Sequence, residues 1–163
     1  MDRYTLIKLQ EKDIPWLMEM ELIEGPKLKG GTGIFLSSLS EEEWLDRINT
    51  YEYAFGMWDS VEECWFGYSI NCRIENNIWI RQMLVIPEYR KTSKDNWGGE
   101  HKRPIPLLLQ WAKDMGGYCL IGTKLNNAVA RGAAEGKNNF EEVCVLNDKN
   151  ADGSDNIILK GAL

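Results

Sequence analysis

Extended and helical periodicities are distributed unevenly along this chain. Three extended segments, Tyr51–Trp58, Cys64–Ile74 and Ile78–Ile86, follow one another with only polar turns at Asp59-Ser60 and Asn76-Asn77 between them. After Ile86 the pattern changes. A helical segment at Ile105–Met115 precedes an extended one at Tyr118–Thr123, and an Ala-rich helical segment at Asn127–Lys137 precedes two closing strands, Phe140–Leu146 and Ile157–Leu159. Hairpins join antiparallel strands, whereas a strand–helix–strand crossover brings the chain back parallel. The two halves therefore imply a single mixed α/β sheet with helices on both faces.

Local signals fill in the rest. Tyr4–Leu9 reads as a first strand. Asp13 then precedes Ile14, Leu17, Met18, Leu22 and Ile23, spaced for one apolar helical face, with Pro15 in the first turn. Pro26 and the run Lys29-Gly30-Gly31-Thr32-Gly33 mark a loop. Ser40 and Glu43 form a capping-box pair ahead of Trp44, Leu45 and Ile48, which predicts a second helix with Trp44 in the core. In the fourth strand, strict alternation puts Ile78, Ile80, Leu84 and Ile86 on one face. Pro104 and Pro106 open the third helix and Gly116-Gly117 end it. No repeat or linker divides the chain, so residues 1–163 are expected to form one domain.

Composition narrows the function. Nineteen basic against 25 acidic residues give a formal charge of −6, which argues against a nucleic-acid partner because phosphate binding draws on clustered cations. No apolar stretch approaches the roughly 20 residues of a membrane span. Four cysteines without a C-x-x-C pair, and a single histidine, make no zinc set, so buried thiols in a reducing cytoplasm are expected.

One segment carries a family resemblance. Met83-Leu84-Val85-Ile86-Pro87-Glu88-Tyr89-Arg90 resembles the L-x-V-x-P-x-Y-R that ends the fourth strand of the GNAT superfamily of N-acetyltransferases. Leu107–Ala112 resembles the helix that follows, and Asn127-x-x-Ala130 the N-x-x-A that opens the next. With the element order, the resemblance spans nearly the whole chain. It implies a GNAT-like central mixed sheet of about seven strands flanked by about four helices, with acetyl transfer from acetyl-CoA to an amine on a small molecule or a protein. Met83, Leu84 and Val85 match the positions whose backbone pairs with the pantetheine arm where the fourth and fifth strands splay apart. By the same resemblance Arg90, Arg103 and Asn127 fall in the cofactor-binding set, and Lys102 joins it as a neighbouring cation able to clamp phosphate.

The sequence departs from the family at the phosphate loop, where Arg/Gln-x-x-Gly-x-Gly/Ala is expected. Arg90 is followed by Lys91-Thr92-Ser93-Lys94-Asp95, and the best displaced counterpart, Arg103-Pro104-Ile105-Pro106, puts two prolines where amide donors belong. Lys91, Lys94, Lys102 and Arg103 form either a side-chain clamp or a solvated loop. The family's early-strand carboxylate falls near Trp79, with no acid in that strand, and its helical tyrosine falls at Ala134. No catalytic residue is therefore assigned from sequence. The alternative function is a non-catalytic binding or structural module with a protein partner, as in some small bacteriophage proteins of this fold.

Three weaker signals are read as structural. Asp148-x-Asn150-x-Asp152-Gly153 begins like a calcium loop, but its twelfth position is Leu159. His101 lies in a polar segment without an evident orienting partner. Trp58, Trp65, Tyr53 and Tyr68, on the second and third strands, either wall a cleft or pack the core.

Overall fold

The computed structural model describes residues 2–24, 39–90, 103–147 and 153–163. Seven strands form one sheet in the order β1-β2-β3-β4-β5-β7-β6. They are β1 (Tyr4–Lys8), β2 (Tyr53–Asp59), β3 (Cys64–Ile74), β4 (Asn77–Val85), β5 (Cys119–Lys124), β6 (Glu141–Leu146) and β7 (Asn156–Gly161). β4 and β5 are adjacent and parallel, and the other described pairs are antiparallel. The expected mixed sheet, with its parallel pair at the centre, is present.

The helices are α1 (Ile14–Glu24), α2 (Glu41–Thr50), the single turn α3 (Pro87–Arg90), α4 (Pro104–Asp114) and α5 (Ala128–Arg131), which continues as a π-helical turn over Gly132–Gly136. α2 starts as its sequence implies: the Ser40 hydroxyl accepts from the Glu43 amide at 3.2 Å, and the Ser40 amide donates to the Glu43 carboxylate at 2.7 Å. α4 ends where Gly116 takes φ 75°. Gly117 follows, packed so close to the Asn76 carbonyl that a Cβ would lie 1.7 Å from its oxygen.

The sheet separates two cores. On one face Phe55, Phe66, Ile78, Ile80, Leu108, Ile121, Phe140 and Ile157 pack with α4 and the α5 turn. On the other Leu9, Ile14, Leu17, Trp44, Tyr68, Ile70 and Leu84 pack with α1 and α2. Ile86 touches both.

Two sequence expectations are corrected. Ile78, Ile80 and Leu84 do not share a face. The ladder to β3 pairs Ile80 with Asn71 and Gln82 with Ile70, leaving Arg81 as an extra residue. A bulge of this kind reverses the alternation beyond it, so Ile78 and Ile80 face α4 while Leu84 faces α1 and α2. The apolar stripe of α1 is also displaced: Leu22 is 69% and Ile23 48% exposed, whereas Glu21 and Glu24 are buried beside Ile14 and Leu17. Polar partners on the sheet, described below, turn Glu21 inward.

The cysteines are all free, with Cys119 buried, Cys64 and Cys72 half-buried and Cys144 exposed. The expectation of buried thiols therefore holds only in part. Burial pushes the Cys119 thiol up to about 12.

Candidate functional site

The parallel ladder between β4 and β5 is short. Ile78, Trp79 and Ile80 pair with Cys119, Leu120 and Ile121, and beyond them no residue of β4 pairs with β5 among those described. β3 stays with β4 throughout, pairing Gly67, Tyr68 and Ser69 with Val85, Leu84 and Met83. The Ile86 amide donates to the Phe66 carbonyl on β3 at 3.0 Å. Backbone groups alternate sides along a strand, so the Leu84 amide also faces β3, while those of Met83 and Val85 face the gap. The bulge at Arg81 sets this phase. The sequence treated the three residues alike; the alternation separates Leu84, 1% exposed in the α1/α2 core, from its neighbours.

Arg90 ends α3 and folds back, its Nε donating to the Val85 carbonyl at 2.7 Å. Burial pulls its guanidinium below the ordinary pKa, against the opposing influence of Glu24 and Glu88. Arg103 is the N-cap residue of α4, in extended conformation, and its carbonyl accepts from the Leu107 amide. Of the three first-turn positions that follow, Pro104 and Pro106 have no N–H and Ile105 alone retains a donor. Asn127 is the N-cap of α5: its Oδ1 accepts from the Ala130 amide at 3.1 Å and its Nδ2 donates to the Thr123 hydroxyl at 3.0 Å. Both ends of that amide hold the β5–α5 turn. Lys91, Lys94, His101 and Lys102 lie outside the described residues, as do Gly30–Gly33 and the acidic positions 148–152.

A residue that sequence reasoning passed over stands beside the splay. Glu21 is 5% exposed on α1, and its Oε1 accepts from the Tyr68 hydroxyl at 2.9 Å and from Gln82 Nε2 at 2.6 Å. Its Oε2 accepts from the Leu39 amide at 3.3 Å. Arg47 of α2 donates to Gln82 Oε1, which aims the Gln82 amide group at Glu21. Burial, and then the charge of Glu21, raise Tyr68 well above the usual phenol range and keep it a donor. Gln82 directly precedes Met83, so this carboxylate occupies the α1/α2 side of β4 at the level of the open amides. Its signal in the sequence was position: Leu17, Glu21 and Glu24 are spaced four and three apart along one helical stripe.

The aromatic candidates divide between two places. Tyr68 is core, and Tyr53 stacks on Trp111 with centroids 4.9 Å apart. Trp58 and Trp65 line a cleft of ≈ 400 Å³, together with Trp16, Glu19, Met20, Ile23 and Glu24 of α1, Glu63, Cys64 and Ile86. Trp16 and Trp65 stack at 4.6 Å and 8°, and Trp58 meets Trp65 at 5.1 Å and 71°. Gly56 makes room for the pair, since a Cβ there would lie 2.7 Å from the Trp65 ring.

No family model matches the sequence, and no curated protein matches it. Solved structures match it closely in shape. RimL, a ribosomal L7/L12 alpha-N-protein acetyltransferase in complex with coenzyme A, superposes with a TM-score of 0.74 at 15% identity, covering 99% of this chain and 94% of that one. Ard1 from Thermoplasma volcanium gives 0.70 at 13% identity over 99% of each chain. The PaiA N-acetyltransferase from Thermoplasma acidophilum, also in complex with coenzyme A, gives 0.66 at 15% identity over 98% of this chain and 99% of that one. These superpositions show that the chain has the fold of the GNAT N-acetyltransferases.

Proposed function

We propose that this protein transfers an acetyl group from acetyl-CoA to an amine, and that it holds the cofactor mainly by its pantetheine arm. The observation carrying this reading is the gap between β4 and β5: strand alternation directs the Met83 and Val85 amides into it, and no described strand pairs with them there. A pantetheine arm bears amides of its own and pairs with such an edge as a strand would. When bound, the cofactor supplies an activated thioester. The chain supplies a backbone N–H to stabilise the oxyanion formed as the amine attacks. It also supplies Glu21, held by Tyr68 and Gln82, to take up the amine proton directly or through water, while the thioester C–S bond would break and coenzyme A would leave as a thiolate protonated by solvent. The fit is poorer at the pyrophosphate, where the first turn of α4 offers the Ile105 amide but lacks two donors.

Acetyl transfer to a panel of small amines and peptide N-termini tests the reading. Glu21→Gln is expected to lower kcat on the order of 10²-fold and leave KM for acetyl-CoA unchanged. Unchanged turnover would remove Glu21 from the mechanism. No calorimetric binding at millimolar acetyl-CoA would remove acetyl transfer altogether. That last outcome would favour the second reading, a binding module without catalysis, whose specific support is the pair Pro104 and Pro106.

A further inference from the structure

We infer that the tryptophan-walled cleft between α1 and the β2–β3 hairpin binds an organic cation, an ammonium or alkylated ammonium group on a short apolar stem. Three observations converge on this chemistry. The cleft has a volume of ≈ 400 Å³, ample for such a group. Its wall holds Trp16, Trp58 and Trp65, whose ring planes meet at 71° between Trp58 and Trp65. An indole that lines a cleft attracts a cation through the quadrupole of its ring face. Its described lining also holds three carboxylates, Glu19, Glu24 and Glu63, and no lysine or arginine. Glu24 is buried and interacts electrostatically with Arg90, which leaves Glu19 and Glu63 as the exposed carboxylates of the lining. A neutral apolar ligand would use the rings and gain nothing from the carboxylates, and an anion would be repelled by them.

The wall is preformed. Gly56 lets the edges of the stacked Trp16 and Trp65 rings approach β2, and the stack ties α1 to the hairpin. The inference does not rest on acetyl transfer, because a cation would bind here whether or not the β4–β5 gap takes a cofactor.

The test uses the full chain without acetyl-CoA and two probes of one shape: choline, and 3,3-dimethylbutan-1-ol, in which carbon replaces the charged nitrogen. Indole N–H resonances report binding. Choline is expected to shift those of Trp16, Trp58 and Trp65 and to bind roughly tenfold more tightly than the alcohol. Glu19→Gln with Glu63→Gln, both on the exposed rim, is expected to weaken choline by about threefold and leave the alcohol unchanged. Trp65→Leu should abolish both. Equal affinity for the two probes would make the cleft merely apolar and overturn the proposal. So would shifts confined to other indoles, or no shift with either probe. Because the rim double variant alters no buried side chain, the proposal stays testable even where Trp65→Leu fails to fold.

Discussion

Trp44 and Asp59 show two ways in which one side chain can hold this molecule together. The Trp44 indole is fully buried, edge-on to Tyr68 at 5.2 Å, and its N–H has no hydrogen-bond partner among the described residues. Its removal forfeits packing alone, and Trp44→Ala is expected to cost about 3–5 kcal/mol, read from the urea midpoint. Asp59 works through charge. Burial by itself would raise its pKa, but Arg3 Nε and Nη2, the Tyr89 hydroxyl and the Val61 and Glu62 amides all donate to it and hold it at about 2 against an ordinary 3.8. A depressed carboxylate stabilises the fold above its unfolded pKa, and that contribution is lost as pH falls through the folded value. The stability gap between the native chain and Asp59→Asn is therefore expected to be full above pH 3.8 and to narrow toward pH 2. A gap constant across that range would show that the Asp59 charge contributes nothing.

At the scale of elements, the start of α4 bears on the proposed cofactor binding. A helix start normally offers amides and a positive dipole end to phosphate, and two prolines leave this one with Ile105. Acetyl-CoA is expected to bind with Kd weaker than about 100 μM. Whatever binding exists should fade between low and physiological salt, since exposed cations are screened more than buried amides. Lys102→Ala with Arg103→Ala should abolish it. Pro106→Ala restores one N–H and should tighten binding by about tenfold; micromolar affinity in the native chain that survives high salt would contradict this account. The order of these elements was legible because each announces itself locally, as Ser40 with Glu43 does for α2 and Gly116-Gly117 does for the end of α4. The inward face of α1 was not. A helix buries its carboxylates only where something meets them, and the Tyr68 hydroxyl and Gln82 amide lie 47 and 61 positions away from Glu21. The open amides of Met83 and Val85 were inferred by resemblance. Their phase relative to Leu84 depended on a bulge that the residue pattern around Arg81 does not reveal.

Taken whole, the molecule is one sheet serving as a common wall for two cores, with Ile86 in contact with both. Neither core can loosen without exposing the wall they share. Tryptophan fluorescence and far-UV circular dichroism are accordingly expected to report one coincident unfolding transition. Two separated transitions would mean that the two sides fold as independent units. Millimolar calcium is expected to leave the melting temperature within about a degree, because Leu159, at the twelfth position of the loop pattern, is a fully buried residue of β7. The extra residue in β4 has a consequence for how this sequence tolerates change. It works like a frameshift in a two-letter code: upstream, even-numbered residues address the α4 side, and downstream they address α1 and α2. Deleting Arg81 would restore the frame and exchange the destinations of Gln82 and Met83. The amide group that meets Glu21 would enter an oily layer, and the amides of Met83 and Val85 would turn from the gap toward β3. One lost residue would thus erase the carboxylate's anchor and the open strand edge together, whereas substituting Arg81, whose side chain is exposed, would disturb neither.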